Sequence, residues 1–133
     1  MFKLQINREK FLTMLGDGIP LVGVNLSNIN LSKLSMPGIN LAQANLSGAD
    51  LSRANLKGAN LEGANLENAI MTRANLAIAN LKGANLRCAN LVSANLSGAA
   101  TTSVQSTARV IGCLLYTSPS PRDQRGSRMP SSA

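Results

Sequence analysis

The chain has 133 residues, enough for one domain, with 14% charged and 2% aromatic side chains and neither Trp nor His. Without imidazole there is no Ser-His-Asp triad and no His-ligated metal. With Phe2, Phe11 and Tyr116 as the only rings, a base-stacking nucleic-acid platform is disfavoured. Thirteen Lys/Arg against six Asp/Glu give a net charge of +7, which points to an anionic partner. Cys88 and Cys113 allow at most one bridge, so no disulfide framework is expected.

Residues 1–23 form the first segment. Asn7 is placed to cap a short helix, with Glu9 in its first turn and Phe11, Leu12 and Leu15 on one face. Gly16 and Gly18 are placed to stop it, with Pro20 close behind. Lys3, Arg8, Glu9 and Lys10 break every apolar run here, so neither a signal peptide nor a membrane span is expected, and a cytoplasmic protein is the default. The segment is read as a cap on the body of the chain, with a partner-binding helix as the alternative.

Residues 24–98 read in fives without insertion, from VNLSN and INLSK through ANLEG and ANLEN to ANLVS and ANLSG, giving 15 units. The third position is Leu thirteen times and Met twice, at Met36 and Met71. The first position is Ala in the last eleven units, and Val24, Ile29, Leu34 and Ile39 in the first four. Period five suits neither a helix, where the Leu residues would spiral round every face, nor a straight strand, where they would alternate sides. It suits a short extended piece ending in a corner. First and third positions then point inward, and the Gly or Asn frequent at position five tolerates the positive φ of a tight turn. Repeated corners wind the chain into a solenoid with coils about 4.8 Å apart. The predicted core is Leu41, Leu46, Leu51, Leu56, Leu61, Leu66, Met71, Leu76, Leu81, Leu86 and Leu91.

After Ala99 the register fails, and residues 99–112 are read as a degenerate exit segment. Residues 113–133, beginning CLLYTSPSPRD, read as the translation of a sequencing-library adapter and are set aside from fold and function. Residues 1–112 carry ten Lys/Arg and five Asp/Glu, an excess of +5. The native chain is expected to continue differently beyond Gly112.

The units in 24–98 closely resemble the pentapeptide-repeat family, whose motif is A(N/D)LXX. The resemblance implies an all-β fold: a right-handed quadrilateral β-helix with four units, or 20 residues, per coil, here with a short N-terminal helical cap. It further implies a non-catalytic scaffold or protein-interaction module. Some members mimic DNA and bind gyrase, which needs an acidic surface that these basic repeats do not offer. A third reading makes the repeats an accessory region of a longer effector or enzyme.

No catalytic residue, metal site or cofactor is expected. Glu62 and Glu67 fall on adjacent faces and do not converge, Cys88 has no base beside it, and no GxxxxGK loop is present. The repeated Asn residues read as backbone-bonding or stacked amides. Four units per coil would align Lys33, Arg53 and Arg73, which are 20 apart, in one column of cations. This column is the candidate anion contact, while Lys57, Lys82 and Arg87 scatter elsewhere among Asp50, Glu62 and Glu67. The expected partner is a protein or other macromolecule, with direct nucleic-acid binding less supported.

Overall fold

The computed structural model describes residues 6–105. Expectations for the adapter-like segment 113–133, for Cys113 and for residues 106–112 lie outside the described residues.

The chain enters through helix α1, Arg8–Gly16. The Asn7 side chain caps it by accepting from the Lys10 N–H at 2.8 Å, and Glu9 sits in the first turn, where a carboxylate suits the helix dipole. Asp17 is the C-cap and Gly18 leaves the helix at φ +71°. The inward face differs from the expected trio. Phe11 and Met14 are buried and Leu15 is partly buried, whereas Leu12 is exposed. The sets 11/12/15 and 11/14/15 each span about 100° of the helix, so helical spacing allows both, and the way α1 docks on the first coil turns Met14 inward and Leu12 outward.

From Leu21 onward the backbone repeats every five residues, and parallel bridges join residues 20 apart, from Asn25–Asn45 through to Asn85–Gln105. One coil is therefore four units. The unit Ala59–Gly63 shows why the arrangement closes on itself, because each of its five N–H groups has an acceptor. Ala59 donates to the Leu56 carbonyl at 2.9 Å, closing the turn; Asn60 donates to Ile39 on the preceding coil at 2.8 Å. Leu61 and Gly63 donate to Asn80 and Lys82 on the next coil at 2.7 and 2.8 Å. The fifth, Glu62 N–H, donates to the Asn60 side chain at 3.1 Å. The Asn at position two is thus a turn acceptor for the residue two places on. Its amide can also continue the ladder, as in Asn45 Nδ2 to Asn25 Oδ1 at 3.3 Å and Asn85 Nδ2 to Asn65 Oδ1 at 3.2 Å.

Position five has positive φ throughout the run, whichever residue occupies it, as at Asn28 (59°), Lys33 (65°), Arg53 (60°) and Gly63 (67°). With the i to i+3 bond and a negative φ at position four, these are turns of the type II kind. A turn in every unit leaves one bridged residue between corners. The described residues accordingly contain isolated parallel bridges and no continuous strand, beside the one helix.

Leu41, Leu46, Leu51, Leu56, Leu61, Leu66, Met71, Leu76 and Leu81 are fully enclosed, and Leu86 and Leu91 are buried. Ala residues at position one, from Ala44 to Ala89, fill the space between them. The first coil carries larger apolar side chains at position one. Ile29 is buried, and Val24, Leu34 and Ile39 pack against the core, with Phe11 of α1 closing that end.

The coil geometry also runs beyond the units that carry the motif. Gly23 N–H bonds the Ala42 carbonyl at 2.9 Å, ahead of Val24. At the other end Ala100 and Gln105 bridge to Asn80 and Asn85, and Ser103 takes φ 60°. The bonds between coils are made by backbone, so AATTS follows the path of ANLSG although Thr101 replaces Leu.

Candidate anion-binding face

With 20 residues per coil, positions four and five of each unit stack into outward columns. The face built from residues 29–33, 49–53, 69–73 and 89–93 brings Lys33, Arg53 and Arg73 into one line, ending in Ser93. Their backbones are fixed by bonds to the next coil, Lys33 to Ser52 at 2.9 Å, Arg53 to Thr72 at 2.9 Å and Arg73 to Val92 at 3.0 Å. All three side chains are exposed, and none is hydrogen-bonded within the described residues. At about 4.8 Å per coil the line is about 10 Å long.

The remaining columns differ in charge. Glu62 stacks with Lys82, and Glu67 with Arg87, so those cations have a carboxylate one coil away. Lys57 has Pro37, Ala77 and Ser97 in its column. Glu62 and Glu67 stand on different faces, and Cys88 is exposed and unbridged. An open cavity of about 460 Å³ runs along the corner of Gln43, Gly63, Gly83 and Ser103, with Glu62, Lys82 and Thr102 beside it. It holds both signs of charge. A Cβ at Gly63 would meet the Gln43 amide, the movable end of a flexible side chain, which would have to shift. No group of three metal-ligating side chains occurs among the described residues.

Two features of the cation face escape sequence reasoning. The first is Arg8. From α1 its Nη1 donates to the carbonyls of Asn30 and Ser32, both at 3.1 Å, so a fourth cation is pinned just below Lys33. Nothing local pairs residue 8 with residue 30; docking of the helix does.

The second is Thr72. In thirteen of the fifteen units the position-four N–H is taken by the Asn or Asp side chain two residues before it. Pro37 has no N–H to satisfy. In the unit Ala69–Arg73, Ile70 stands where the acceptor should be, and Thr72 has no hydrogen bond from either its N–H or its hydroxyl among the described residues. The replacement of Asn by Ile in AIMTR is the visible signal.

A family model described as pentapeptide repeats matches residues 25–63, 49–86 and 59–98. The chain belongs to the pentapeptide-repeat family. Among solved structures, the pentapeptide-repeat protein alr5209 from Nostoc Pcc 7120 is 29% identical with a TM-score of 0.63, covering 79% of this chain and all of its own. Rfr23 from the cyanobacterium Cyanothece 51142 is 45% identical with a TM-score of 0.46, covering 62% of this chain and 60% of its own. A pentapeptide-repeat protein from the Arabidopsis thaliana thylakoid lumen is 30% identical with a TM-score of 0.46, over 65% of this chain and 57% of its own. This pentapeptide-repeat chain thus spans the whole of the first relative and less than two thirds of the other two. No curated protein matches it significantly. No helix among the described residues is long and apolar enough to cross a membrane.

Proposed function

We propose that this pentapeptide-repeat chain is a non-catalytic interaction module that offers the Lys33–Arg53–Arg73 column to an anionic macromolecular partner. The coils are read as a right-handed quadrilateral β-helix. Four turns per 20-residue coil support the quadrilateral section, and the hand is the one that connections between parallel strands favour. Residues 1–23 serve as the cap, in keeping with the buried Phe11 and the Arg8 clamp. Residues 24–98 supply the surface.

The observation that carries this reading is the separation of structural and variable positions. The first three positions of a mid-solenoid unit are committed to core, ladder and turn, so chemical variety is confined to positions four and five. On one face that variety amounts to three cations with no carboxylate in their column. Residues 6–105 hold eight Lys/Arg and five Asp/Glu, a balance opposed to DNA mimicry. Such a contact is electrostatic and weakens with salt, through screening beyond about 8–10 Å and release of counterions.

Retention on a heparin resin tests it. Replacing Lys33, Arg53 and Arg73 by Ser, a residue already at home at φ 62° in Ser93, should lower the eluting salt far more than replacing Lys57, Lys82 and Arg87. Equal losses would overturn the column in favour of net charge alone. Dose-dependent inhibition of gyrase by the parent protein would favour the DNA-mimic reading instead.

A further inference from the structure

The donors of Thr72 left unbonded within the described residues lie in the column next to the cations. Thr72 immediately precedes Arg73, and its carbonyl accepts from the Arg53 N–H at 2.9 Å, so its turn sits over Arg53. Its N–H and hydroxyl therefore stand next to the backbones of Arg53 and Arg73, whose exposed side chains leave from the adjoining column, and neither these donors nor the two guanidinium groups are bonded within the described residues. Convergent N–H, O–H and guanidinium donors are the chemistry that recognises an oxyanion, and bonds of this charged kind are about twice as strong as neutral ones. One carboxylate, Asp50, also stands on this face, paired across the coils with Ile70. Asp50 Oδ1 is held in its own turn, accepting from the Ser52 N–H at 3.0 Å and the Ser52 hydroxyl at 2.7 Å.

The surroundings select the source of that oxyanion. Ile70, two residues before Thr72 in the same unit, and Val92, one coil further on in the column of Thr72, are exposed on the same face and give an apolar edge to the donors. Phe11, the one aromatic residue among those described, is fully buried, so no exposed ring among them offers a stacking surface to a base. A line of about 10 Å with apolar side chains beside it matches a few residues of extended peptide, in which acidic and aliphatic side chains alternate. A nucleic-acid backbone would offer phosphates to the same donors but no aliphatic groups to the apolar edge.

Building on the anion-contact reading, we propose that the partner is an extended acidic peptide segment, with one carboxylate seated on Thr72 N–H and Oγ beside Arg53 and Arg73. Its aliphatic side chains lie against Ile70 and Val92. The departure AIMTR, which costs the turn its internal acceptor, creates the seat.

The site can be closed without removing a charge. Ile70→Asn restores the turn acceptor and occupies the Thr72 N–H. Thr72→Pro deletes both the N–H and the hydroxyl, leaves Ile70 in place, and repeats what Pro37 already does at position four of an earlier unit. The probe is a fluorescein-labelled peptide of alternating Glu and Val, with a Gln/Val peptide and an oligothymidylate as comparison arms, read by anisotropy on the full chain at low salt. We expect the Glu/Val peptide to bind and the Gln/Val peptide not to. Each of Ile70→Asn and Thr72→Pro should weaken binding about fivefold or more, with melting temperatures no lower than the parent's, and Arg53→Ser/Arg73→Ser should abolish it. If the arginine pair matters but both uncharged substitutions bind like the parent, the Thr72 seat is wrong while the column stands. If the arginine pair is also dispensable, both readings fall. Tighter, competing binding of the oligothymidylate would overturn the peptide assignment.

Discussion

Leu61→Ala offers a direct measure of how rigid the solenoid is. Leu61 is fully enclosed between Leu41 and Leu81, one coil away on either side and equally enclosed. The coils above and below the resulting cavity cannot close on it, because their spacing is held by Leu41 to Asn60 at 2.8 Å, Leu61 to Asn80 at 2.7 Å and Gly63 to Lys82 at 2.8 Å. Leu→Ala costs range over about 2–5 kcal/mol according to how far the site collapses, so this one belongs near the top, at about 4–5 kcal/mol. At about 4–8 °C per kcal/mol for a domain of this size, the melting temperature should fall by about 16 °C or more. Leu61→Asp should be worse, since it buries a carboxylate without a partner. Glu62→Ser, one residue along and exposed, should stay within about 0.5 kcal/mol of the parent. Circular-dichroism melts of the three variants provide the assay. A drop of less than about 5 °C for Leu61→Ala, well under the cavity cost, would refute the claim that the ladders hold the core open. Similar melts for Leu61→Asp and Glu62→Ser would refute the inward and outward assignment itself.

Ile78 is β-branched, exposed and held at φ 52°, so Ile78→Asn should relieve strain and raise stability by about 0.5–1 kcal/mol; a lower melting temperature would count against this. Asn60→Ala removes the acceptor for the Glu62 N–H and should cost about 1 kcal/mol, seen as a melt a few degrees lower. Phe11→Ala should loosen the first coil by about 3–5 kcal/mol, accelerating amide exchange at Leu26, Leu31 and Lys33 while Leu61 and Leu66 keep theirs, since solenoid coils are coupled chiefly to their neighbours.

The cation column is legible in the amino-acid sequence, because a fixed interval of 20 converts sequence separation directly into spatial neighbourhood once four units make a coil. That is why Lys33, Arg53 and Arg73 group together, and why Glu62 and Glu67 stay apart. Arg8 is not legible there, since its place depends on where α1 lands on the first coil. Thr72 is half visible. Ile70 is plainly out of pattern, but its consequence needs the knowledge that the position-two side chain feeds the position-four N–H. On α1 the sets 11/12/15 and 11/14/15 span equal arcs of about 100°, so the sequence admits either, and docking of the helix on the first coil selects Met14 over Leu12.

The solenoid is written in the repeat alone. Inward Leu and Ala at a strict period of five, with a turn-tolerant residue at the end of each unit, admit no ordinary helix or sheet, and the inward set is settled by apolarity. Contacts between coils settled the rest. They carried the coil path past Gly98 through residues that have lost the motif, because backbone bonding between coils does not read side chains. They pushed Lys33, Arg53, Arg73 and Ile78 into positive φ, a conformation their own propensities oppose, because the coil-to-coil bonds on both sides demand it. Folding also left the Thr72 N–H without an acceptor within the described residues, a consequence that exists only when residues 70 and 72 are brought into the same turn.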